Sequence, residues 1–409
     1  MTCRHCGAHV SLPFVDLGSA PPSNAYLTEQ TLGSPEKWYP LRVLTCERCW
    51  LVQTEDYAHH AELFPPDYAY FSSVSSTWLR HVGEYVDTMA SRYDLGSTSL
   101  VVEVASNDGG LLQLVQARGI PCIGVEPTAS TASAARTRGL QVIGEFFGEA
   151  LGSRMADDGI AADLMVANNV LAHVPDPNDF VRGFARVLKP EGVVTFEFPH
   201  LLRLVEGNQF DTIYHEHFSY LSLTAVLEAF GRNGLTVFDV EELPTHGGSL
   251  RVFAQRSDTG RRAVTGAVAR VREEELTAGM VARAFYESFQ ETAERVKNDF
   301  LAFLLDAKRT GQVVAAYGAA AKGNTLMNFA GVRSDLVRFV VDRSPAKQGK
   351  FMPGSRIPIV DEDRLRHDRP ALVVILPWNL KAEIVEQIRY VRSWGGRFAT
   401  AVPALEVIE

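Results

Sequence analysis

The sequence predicts an α/β protein in which a small cysteine-bearing segment precedes two units built on parallel sheets. Two Cys-x-x-Cys pairs lie near the N-terminus, and little helical periodicity accompanies them. Short β-branched runs then alternate with helical stretches between residues 99 and 198, and the alternation returns between 312 and 376. Because alternation at this spacing is typical of doubly wound parallel sheets, both units are predicted to be Rossmann-like.

Bulk properties limit the classes of protein. A chain of 409 residues exceeds what one core usually serves, so its length predicts two or three domains, and the changes of pattern along it place three, at residues 1–75, 76–260 and 261–409. The net charge of -9 disfavours a nucleic-acid partner, because phosphate binding depends on clustered Lys and Arg. The chain has no long apolar run and no apolar signal core at its start, so we expect a cytoplasmic protein without a membrane partner.

The cysteine pairs predict a metal site. Without a secretion signal, two such pairs indicate a metal before a disulfide. Zn²⁺ suits four thiolates in a tetrahedron, and a site with no open position is structural. Four unrelated thiols are the alternative, and His5 and His9 are less favoured substitute ligands. The predicted ligands are Cys3, Cys6, Cys46 and Cys49.

The pattern of each unit can be read element by element. Strands of the first unit are predicted at 99–104, 122–126, 140–143, 163–167 and 192–198, with helices at 111–117, 129–138 and 180–188. A charged stretch at 263–310 predicts a pair of connecting helices. The second unit is predicted to have strands at 312–317, 336–341 and 371–376, with a helix at 324–329.

A cofactor loop is predicted where the first strand ends, in Glu103-Val-Ala-Ser-Asn-Asp-Gly-Gly110. Ligands of open α/β folds bind at the carboxyl ends of the strands, and Glu126 ends the next strand, where a carboxylate can accept ribose hydroxyls. The spacing fits S-adenosylmethionine (SAM) or a dinucleotide, and a turn without a ligand is the alternative. The candidate cofactor-binding residues are Glu103, Ala105, Asn107, Asp108, Gly109, Glu126, Pro127, Asn168 and Asn169.

Four runs in this order carry a family resemblance: the loop at 103–110, Gly124-Val-Glu-Pro127, the run at 167–175 and Tyr214-His-Glu-His-Phe-Ser-Tyr220. Together with the cysteine pairs, they resemble the zinc-binding, SAM-dependent sugar C-methyltransferases of antibiotic deoxysugar pathways. The resemblance spans the whole chain. It implies a zinc-binding N-terminal domain, a class I SAM methyltransferase core and a C-terminal nucleotide-sugar half. Ala105 departs from the family, in which many relatives carry glycine there.

The resemblance also implies roles for single residues. His217 matches the catalytic base, with Glu216 and Tyr214 beside it, and His173 matches a second active-site histidine. Tyr68 matches an active-site tyrosine, with Tyr70 as the other possible equivalent and a substrate contact. The residues alone leave open a polar loop with structural histidines or a metal site. An extended segment would put Tyr214 and Glu216 on one face, whereas a turn would let more of the side chains converge.

The chemistry of carbon methylation explains the cluster. A carbon beside a ketone becomes nucleophilic when a base removes its proton while the enolate oxygen is stabilised. A neutral histidine, with an ordinary pKa of about 6.5, suits the base, and a tyrosine can donate to the enolate oxygen. The resemblance implies a dTDP-4-keto-deoxyhexose as the substrate, methylated at C-3 or C-5. O- or N-methylation of a nucleotide sugar, or a non-catalytic zinc- and SAM-binding scaffold, are the alternatives.

Two further runs predict substrate contacts. Tyr317-Gly-Ala-Ala-Ala-Lys-Gly-Asn324 follows a strand and opens a helix, whose N-terminus favours phosphate; a structural turn between strand and helix is the alternative. Thr245-His-Gly-Gly-Ser-Leu-Arg251 resembles a signature of the same family. We expect the sugar near His246 and Gly247 and the diphosphate near Lys322 and Asn324, with Asp342, Lys347 and Trp378-Asn379 as further candidates. One chain has all three parts, so a monomer is expected.

Overall fold

The computed structural model describes residues 1–57, 63, 71–74 and 76–409. Strands in this part of the chain are β1 (Leu12–Ala20), β2 (Tyr39–Thr45), β3 (Val52–Thr54), β4 (Val101–Val104), β5 (Cys122–Val125), β6 (Val142–Ile143), β7 (Ala162–Asn168), β8 (Leu188–Pro199), β9 (Ser219–Tyr220), β10 (Leu235–Leu243), β11 (Ser249–Arg256), β12 (Val314–Tyr317), β13 (Val340–Val341), β14 (Ile359–Val360), β15 (Leu372–Ile375), β16 (Arg397–Thr400) and β17 (Glu406–Ile408).

The α-helices in the same residues are α1 (Ser76–Arg92), α2 (Gly110–Gln116), α3 (Ala129–Thr137), α4 (Glu149–Asp157), α5 (Pro177–Val187), α6 (Leu201–Glu206), α7 (Leu223–Arg232), α8 (Gly266–Thr277), α9 (Arg283–Glu287), α10 (Phe289–Arg309), α11 (Ala321–Phe329), α12 (Asp363–Asp368) and α13 (Lys381–Gln387). Short 3₁₀ turns occur at Ser72–Val74, Leu171–His173, Phe210–Thr212, Thr245–Gly247, Trp378–Leu380 and Arg389–Trp394.

The N-terminal sheet is antiparallel, with the strand order β1-β2-β3-β9. Its last strand comes from far along the chain, since Val52 pairs with Tyr220. Leu12 and Phe14 of β1 are buried, and Phe14 stacks on Phe289 of α10 with ring centroids 4.5 Å apart. The sheet therefore holds the predicted catalytic run 214–220 against the cysteine-bearing segment.

The central sheet confirms the doubly wound prediction. Its order is β10-β11-β8-β7-β4-β5-β6, parallel from β8 to β6, with β10 and β11 as an antiparallel ribbon at one edge. Every residue of β4 is buried, as expected for a strand covered on both faces. Ligands of such a sheet bind where its parallel strands end, and those ends place the site described below.

The C-terminal sheet has the order β14-β13-β12-β15-β16-β17 and is parallel except for β17. The strand predicted at 336–341 is shorter, Val340–Val341. The helix predicted at 324–329 begins at Ala321, because Ala321 and Lys322 are good helix formers. Three helices, α8 to α10, occupy the stretch in which we predicted two, since the chain turns between Thr277 and Arg283.

The cores cross the predicted boundaries. One core joins β1 and β2 to α10 and the C-terminal sheet, and another joins the cysteine pairs to the central sheet and α5. The domain limits 1–75, 76–260 and 261–409 stay a prediction. Among the described residues, none of the helices combines the length and the apolarity needed to span a bilayer.

Candidate active site

The four cysteines of the two Cys-x-x-Cys pairs converge on one point. Their Sγ atoms all lie within 4.8 Å of one another, with Cys3 to Cys49 and Cys6 to Cys46 each at 3.5 Å. Tetrahedral Zn²⁺ with bonds of about 2.3 Å separates its sulfurs by about 3.8 Å. The thiols therefore fit one zinc ion. The imidazole of His5 lies 2.7 Å from Asn178 Oδ1 instead, outside the cluster.

The first cysteine knuckle packs against the central unit. The Arg4 guanidinium donates to the Pro175 carbonyl at 3.2 Å, and the Asn178 amide donates to the His5 carbonyl at 2.9 Å. Pro175 belongs to the wall of the cavity described next. A metal held at the knuckle therefore stabilises one side of that cavity.

A cavity of about 400 Å³ lies at the carboxyl ends of β4, β5 and β7. Its position follows the rule for ligand sites in open α/β sheets. Seven of the nine predicted cofactor-binding residues line it: Glu103, Ala105, Asn107, Glu126, Pro127, Asn168 and Asn169.

The loop after β4 brings its backbone close to the cavity. Ala105 and Asn107 have left-handed φ angles of 57° and 49°, which a glycine would adopt without strain. Glu126 stabilises this geometry, because its carboxylate accepts from the Asn107 and Thr128 backbone N–H groups, each at 2.9 Å. Glu126 therefore ties the loops after β4 and β5 together.

Several buried polar groups at the cavity lack a hydrogen-bond partner within the described residues: Glu103 Oε2, Ser106 Oγ, the Asn168 side-chain amide and Asn169 Oδ1. Burial, with a contribution from the charges of Glu126 and Asp108, raises the pKa of Glu103 well above its ordinary value. Unpaired buried polar groups cost about 1–3 kcal/mol each. The donor and acceptor set therefore fits a polar ligand such as the amino-acid and ribose groups of SAM.

Asp108 and Gly109 do not line the cavity. The Asp108 carboxylate accepts from the Ser72 hydroxyl at 3.1 Å and the Ser73 N–H at 3.2 Å, and it lies 3.2 Å from the Arg138 guanidinium. Gly109 has a left-handed φ of 80°, and a Cβ there would lie 2.2 Å from Leu140 Cδ1, so the position favours glycine. Both residues stabilise the loop by packing on its side away from the cavity.

Sequence reasoning missed part of the cavity wall, including Trp78, Thr128, Glu145 and Phe146. Glu145 and Phe146 follow β6, so the strand-end rule that found Glu126 could also have found them. Trp78 lies on α1, and no motif in its neighbourhood indicates a ligand.

The run 214–217 forms a turn, in which the His217 N–H donates to the Tyr214 carbonyl at 2.9 Å. The turn brings the two side chains together, with the Tyr214 oxygen 2.7 Å from His217 Nε2. His217 Nδ1 lies 3.0 Å from the Thr212 carbonyl. Because a carbonyl only accepts, Nδ1 carries the proton and Nε2 accepts from the phenol.

His173 connects this pair to the cavity. It lines the cavity, and its ring centroid lies 4.6 Å from that of His217. Burial lowers the pKa of His173 to about 4, and burial together with charge on His173 lowers the pKa of His217 well below its ordinary value. Both imidazoles are therefore neutral near pH 7. Tyr214, Glu216 and His217 are not among the residues that line the cavity.

Glu216 turns away from His217 toward the N-terminal segment. One carboxylate oxygen accepts from the backbone N–H of Asn24 at 3.2 Å and from its side-chain amide at 3.1 Å. Its backbone carbonyl accepts from His173 Nδ1 at 2.8 Å. Glu216 thus orients the cluster through contacts on both sides. Tyr68 and Tyr70 lie outside the described residues.

Of the predicted substrate contacts, His246 lines the cavity, whereas Gly247, Lys322 and Asn324 do not. Lys322 Nζ donates to Asn379 Oδ1 at 2.7 Å and lies 4.6 Å from the Trp378 ring centroid. The Asn324 amide donates to the Ser23 carbonyl at 2.6 Å. The Lys322 contacts lie within the C-terminal unit, whereas the Asn324 hydrogen bond holds that unit against the N-terminal segment.

Asp211 joins the central and C-terminal units, and its ionisation predicts how stability depends on pH. Its carboxylate is fully buried and accepts from Trp378 Nε1 at 2.8 Å, and burial raises its pKa to about 6 despite the attraction of Lys322. Because the folded state binds this proton more tightly than the unfolded state, the proton stabilises the fold. That contribution is fully present below pH 4 and is lost as the pH rises through 6.

Asp211→Asn removes this titration, so the melting temperature of the variant relative to wild type should rise between pH 5 and pH 8. The expected gain is about 1 kcal/mol, or about 2–4 °C. Any penalty of the amide itself is independent of pH and cancels in the comparison. Scanning calorimetry at the two pH values measures it, and an unchanged difference would contradict the assignment.

Known protein families match nearly the whole chain. Three family models match the chain: a zinc binding domain at residues 3–64, a methyltransferase domain at 79–240 and a C-methyltransferase C-terminal domain at 244–403. Solved structures that resemble it include the PH0226 protein of Pyrococcus horikoshii OT3, at 16% identity over 49% of this chain and 100% of that one, with a TM-score of 0.37. The SAM-bound magnesium protoporphyrin IX methyltransferase of Synechocystis PCC 6803 has 16% identity over 44% of this chain and 79% of that one, with a TM-score of 0.33.

A curated relative covers nearly the whole chain. The C-methyltransferase NovU of Streptomyces niveus is 34% identical over 406 residues, which are 99% of this chain and 96% of NovU. The match includes the cysteine cluster, the cavity and the histidine cluster together. It selects carbon methylation over the O- or N-methylation and scaffold alternatives. The chain therefore belongs to the family of SAM-dependent C-methyltransferases with an N-terminal zinc-binding domain.

Proposed function

We propose that the enzyme methylates the carbon beside the ketone, C-3 or C-5, of a dTDP-4-keto-deoxyhexose. The observation that carries the proposal is the half-buried pair Tyr214–His217, packed through His173 against the cofactor cavity. Methylation of a hydroxyl or an amine needs no carbanion. A neutral imidazole that already accepts a hydrogen bond suits removal of a proton from carbon.

In this proposal the Tyr214–His217 pair is the base. The phenol oxygen takes the proton from the sugar carbon as its own proton passes to His217 Nε2, and His217 stays tethered to Thr212 through Nδ1. The C–H electrons form the enolate double bond, and the carbonyl electrons move to oxygen. SAM, when bound beside Glu103 and Glu126, supplies the methyl group that the carbon takes up. The proton remains on the pair until solvent removes it.

The remaining assignments belong to the same proposal. We assign the sugar to Tyr68 and Tyr70, as the family resemblance implies, and to His246 and Gly247. We assign the diphosphate to Lys322, whose charge suits it, and to Asn324; binding would have to replace their hydrogen bonds to Asn379 and to the Ser23 carbonyl. One chain contains every part that the reaction needs, so we propose a monomer that acts in the cytoplasm without a nucleic-acid partner.

Mass spectrometry of purified protein with SAM and a panel of dTDP-4-keto-deoxyhexoses tests the function. We expect a product one methylene heavier, formed together with S-adenosylhomocysteine, and NMR then identifies the carbon. A SAM-binding protein that methylates no member of the panel would show that the acceptor class is wrong.

A further inference from the structure

His246 lies in an unusual backbone conformation at the cavity. It is the middle residue of the turn Thr245–Gly247, with φ 55° and ψ 20°, in the left-handed region that non-glycine residues adopt uncommonly, although Asn, Asp and His are enriched there. Its side chain lines the cavity, as do those of His173 and Trp78. A strained backbone conformation persists only where contacts with the surrounding structure hold it, and such conformations cluster at functional sites.

Contacts from three directions hold the turn in place. The Gln209 amide donates to the Gly247 carbonyl at 2.9 Å, and the Thr245 hydroxyl donates to the buried Glu197 carboxylate at 3.2 Å. A Cβ on Gly247 would lie 2.5 Å from the Trp378 ring, so the C-terminal unit closes on the turn directly. These contacts therefore hold the backbone of His246 in this conformation and set the direction in which its side chain leaves the backbone.

The imidazole of His246 makes no hydrogen bond to the described residues, and its Nδ1 is buried. His217 differs, since both of its ring nitrogens are engaged. Burial, with a contribution from the charge of Lys322, lowers the pKa of His246 to about 4, so its ring is neutral near pH 7. A buried N–H without a partner is costly. The proton therefore belongs on Nε2, the nitrogen available to a ligand in the cavity.

His246 also lies within electrostatic range of the base. Charge on His246 and on Lys322 would each contribute to lowering the pKa of His217. The N–H donor, His246, and the proton acceptor, the Tyr214–His217 pair, thus belong to one active centre, although they lie on different turns of the chain. Removal of a proton beside a ketone needs both, because the negative charge develops on oxygen while the proton leaves carbon.

We propose that Nε2–H of His246 donates to the ketone oxygen of the substrate and stabilises the enolate. The inference rests on the proposed function: proton removal is assigned there to the Tyr214–His217 pair, and stabilisation of the enolate oxygen is assigned here to His246. As the Tyr214–His217 pair takes the α-proton, the C–H electrons form a C=C bond and the carbonyl electrons move to the oxygen held by His246. When the carbon–methyl bond forms, the S–CH₃ bond breaks, the C=O bond returns, and His246 keeps its proton throughout.

The left-handed backbone allows a clean test. His246→Gly keeps this conformation without strain and removes the imidazole, whereas His246→Asn tolerates the conformation and keeps an N–H donor. Exchange of the α-hydrogen is followed by mass spectrometry in D₂O, with dTDP-4-keto-deoxyhexose and S-adenosylhomocysteine in place of SAM. We expect His246→Gly to slow exchange and kcat by about 10²–10³-fold. We expect His246→Asn to lie between that variant and wild type, and substrate Kd to change by far less.

Each outcome decides between two statements. Exchange by His246→Gly at the wild-type rate would overturn the role of His246, and so would a loss confined to KM with kcat unchanged. Wild-type protein that exchanges no keto-sugar hydrogen would instead overturn the proposed function. An unchanged melting temperature in both variants separates a chemical loss from misfolding.

Discussion

Replacing His217 with Asn is expected to slow methyl transfer by about 10²–10⁴-fold, the usual contribution of a positioned general base. The shorter amide can still donate toward the Thr212 carbonyl, which now accepts from His217 Nδ1 at 3.0 Å. It offers no basic nitrogen in place of Nε2, which accepts from Tyr214 at 2.7 Å. Single-turnover methylation of the accepted sugar, with product quantified by mass spectrometry, measures the loss.

Tyr214→Phe and the double variant sharpen this test. If the phenol and the imidazole act as one base, the double variant should be no slower than His217→Asn alone, because residues that act as a unit have non-additive effects. SAM affinity should stay near wild type in all three variants, since neither side chain lines the cavity. Full methyl transfer by His217→Asn would exclude the base assignment.

Removal of zinc is expected to destabilise the protein and to weaken SAM binding. Structural zinc sites contribute folding free energy directly, and each kcal/mol lost shifts the melting temperature by about 2–4 °C, so Cys46→Ser should melt about 10 °C or more below wild type. The effect should reach the cofactor because the knuckle residue Arg4 donates to Pro175 in the cavity wall. Calorimetry and SAM titration measure the two losses.

Cys122→Ser is the matched control for the zinc experiment. Cys122 is half-buried at the start of β5, and its Sγ lies 3.7 Å from the Leu112 carbonyl, away from the cysteine cluster. This variant should keep one zinc ion per chain by elemental analysis and change little in melting temperature. Equal effects of Cys46→Ser and Cys122→Ser would contradict a structural metal at the cluster.

The sequence alone determined those features that depend on local pattern. Two cysteine knuckles predict a tetrahedral site from their spacing, and four thiols within 4.8 Å agree with it. Glu103, Glu126 and Asn168 were found because parallel strands end at one edge of a sheet, so residues distant in the chain become neighbours at the cavity. Full-length similarity to NovU supports the same assignment.

Only the tertiary structure decided which partner each polar side chain of the site contacts. Periodicity could not tell whether the run 214–217 is extended or turned, and the turn is what brings Tyr214 to His217 while Glu216 contacts Asn24. The conformation of His246 likewise depends on Gln209 and on Trp378, which lies 132 residues further along the chain. Contacts between distant segments set these directions, and local sequence does not encode them.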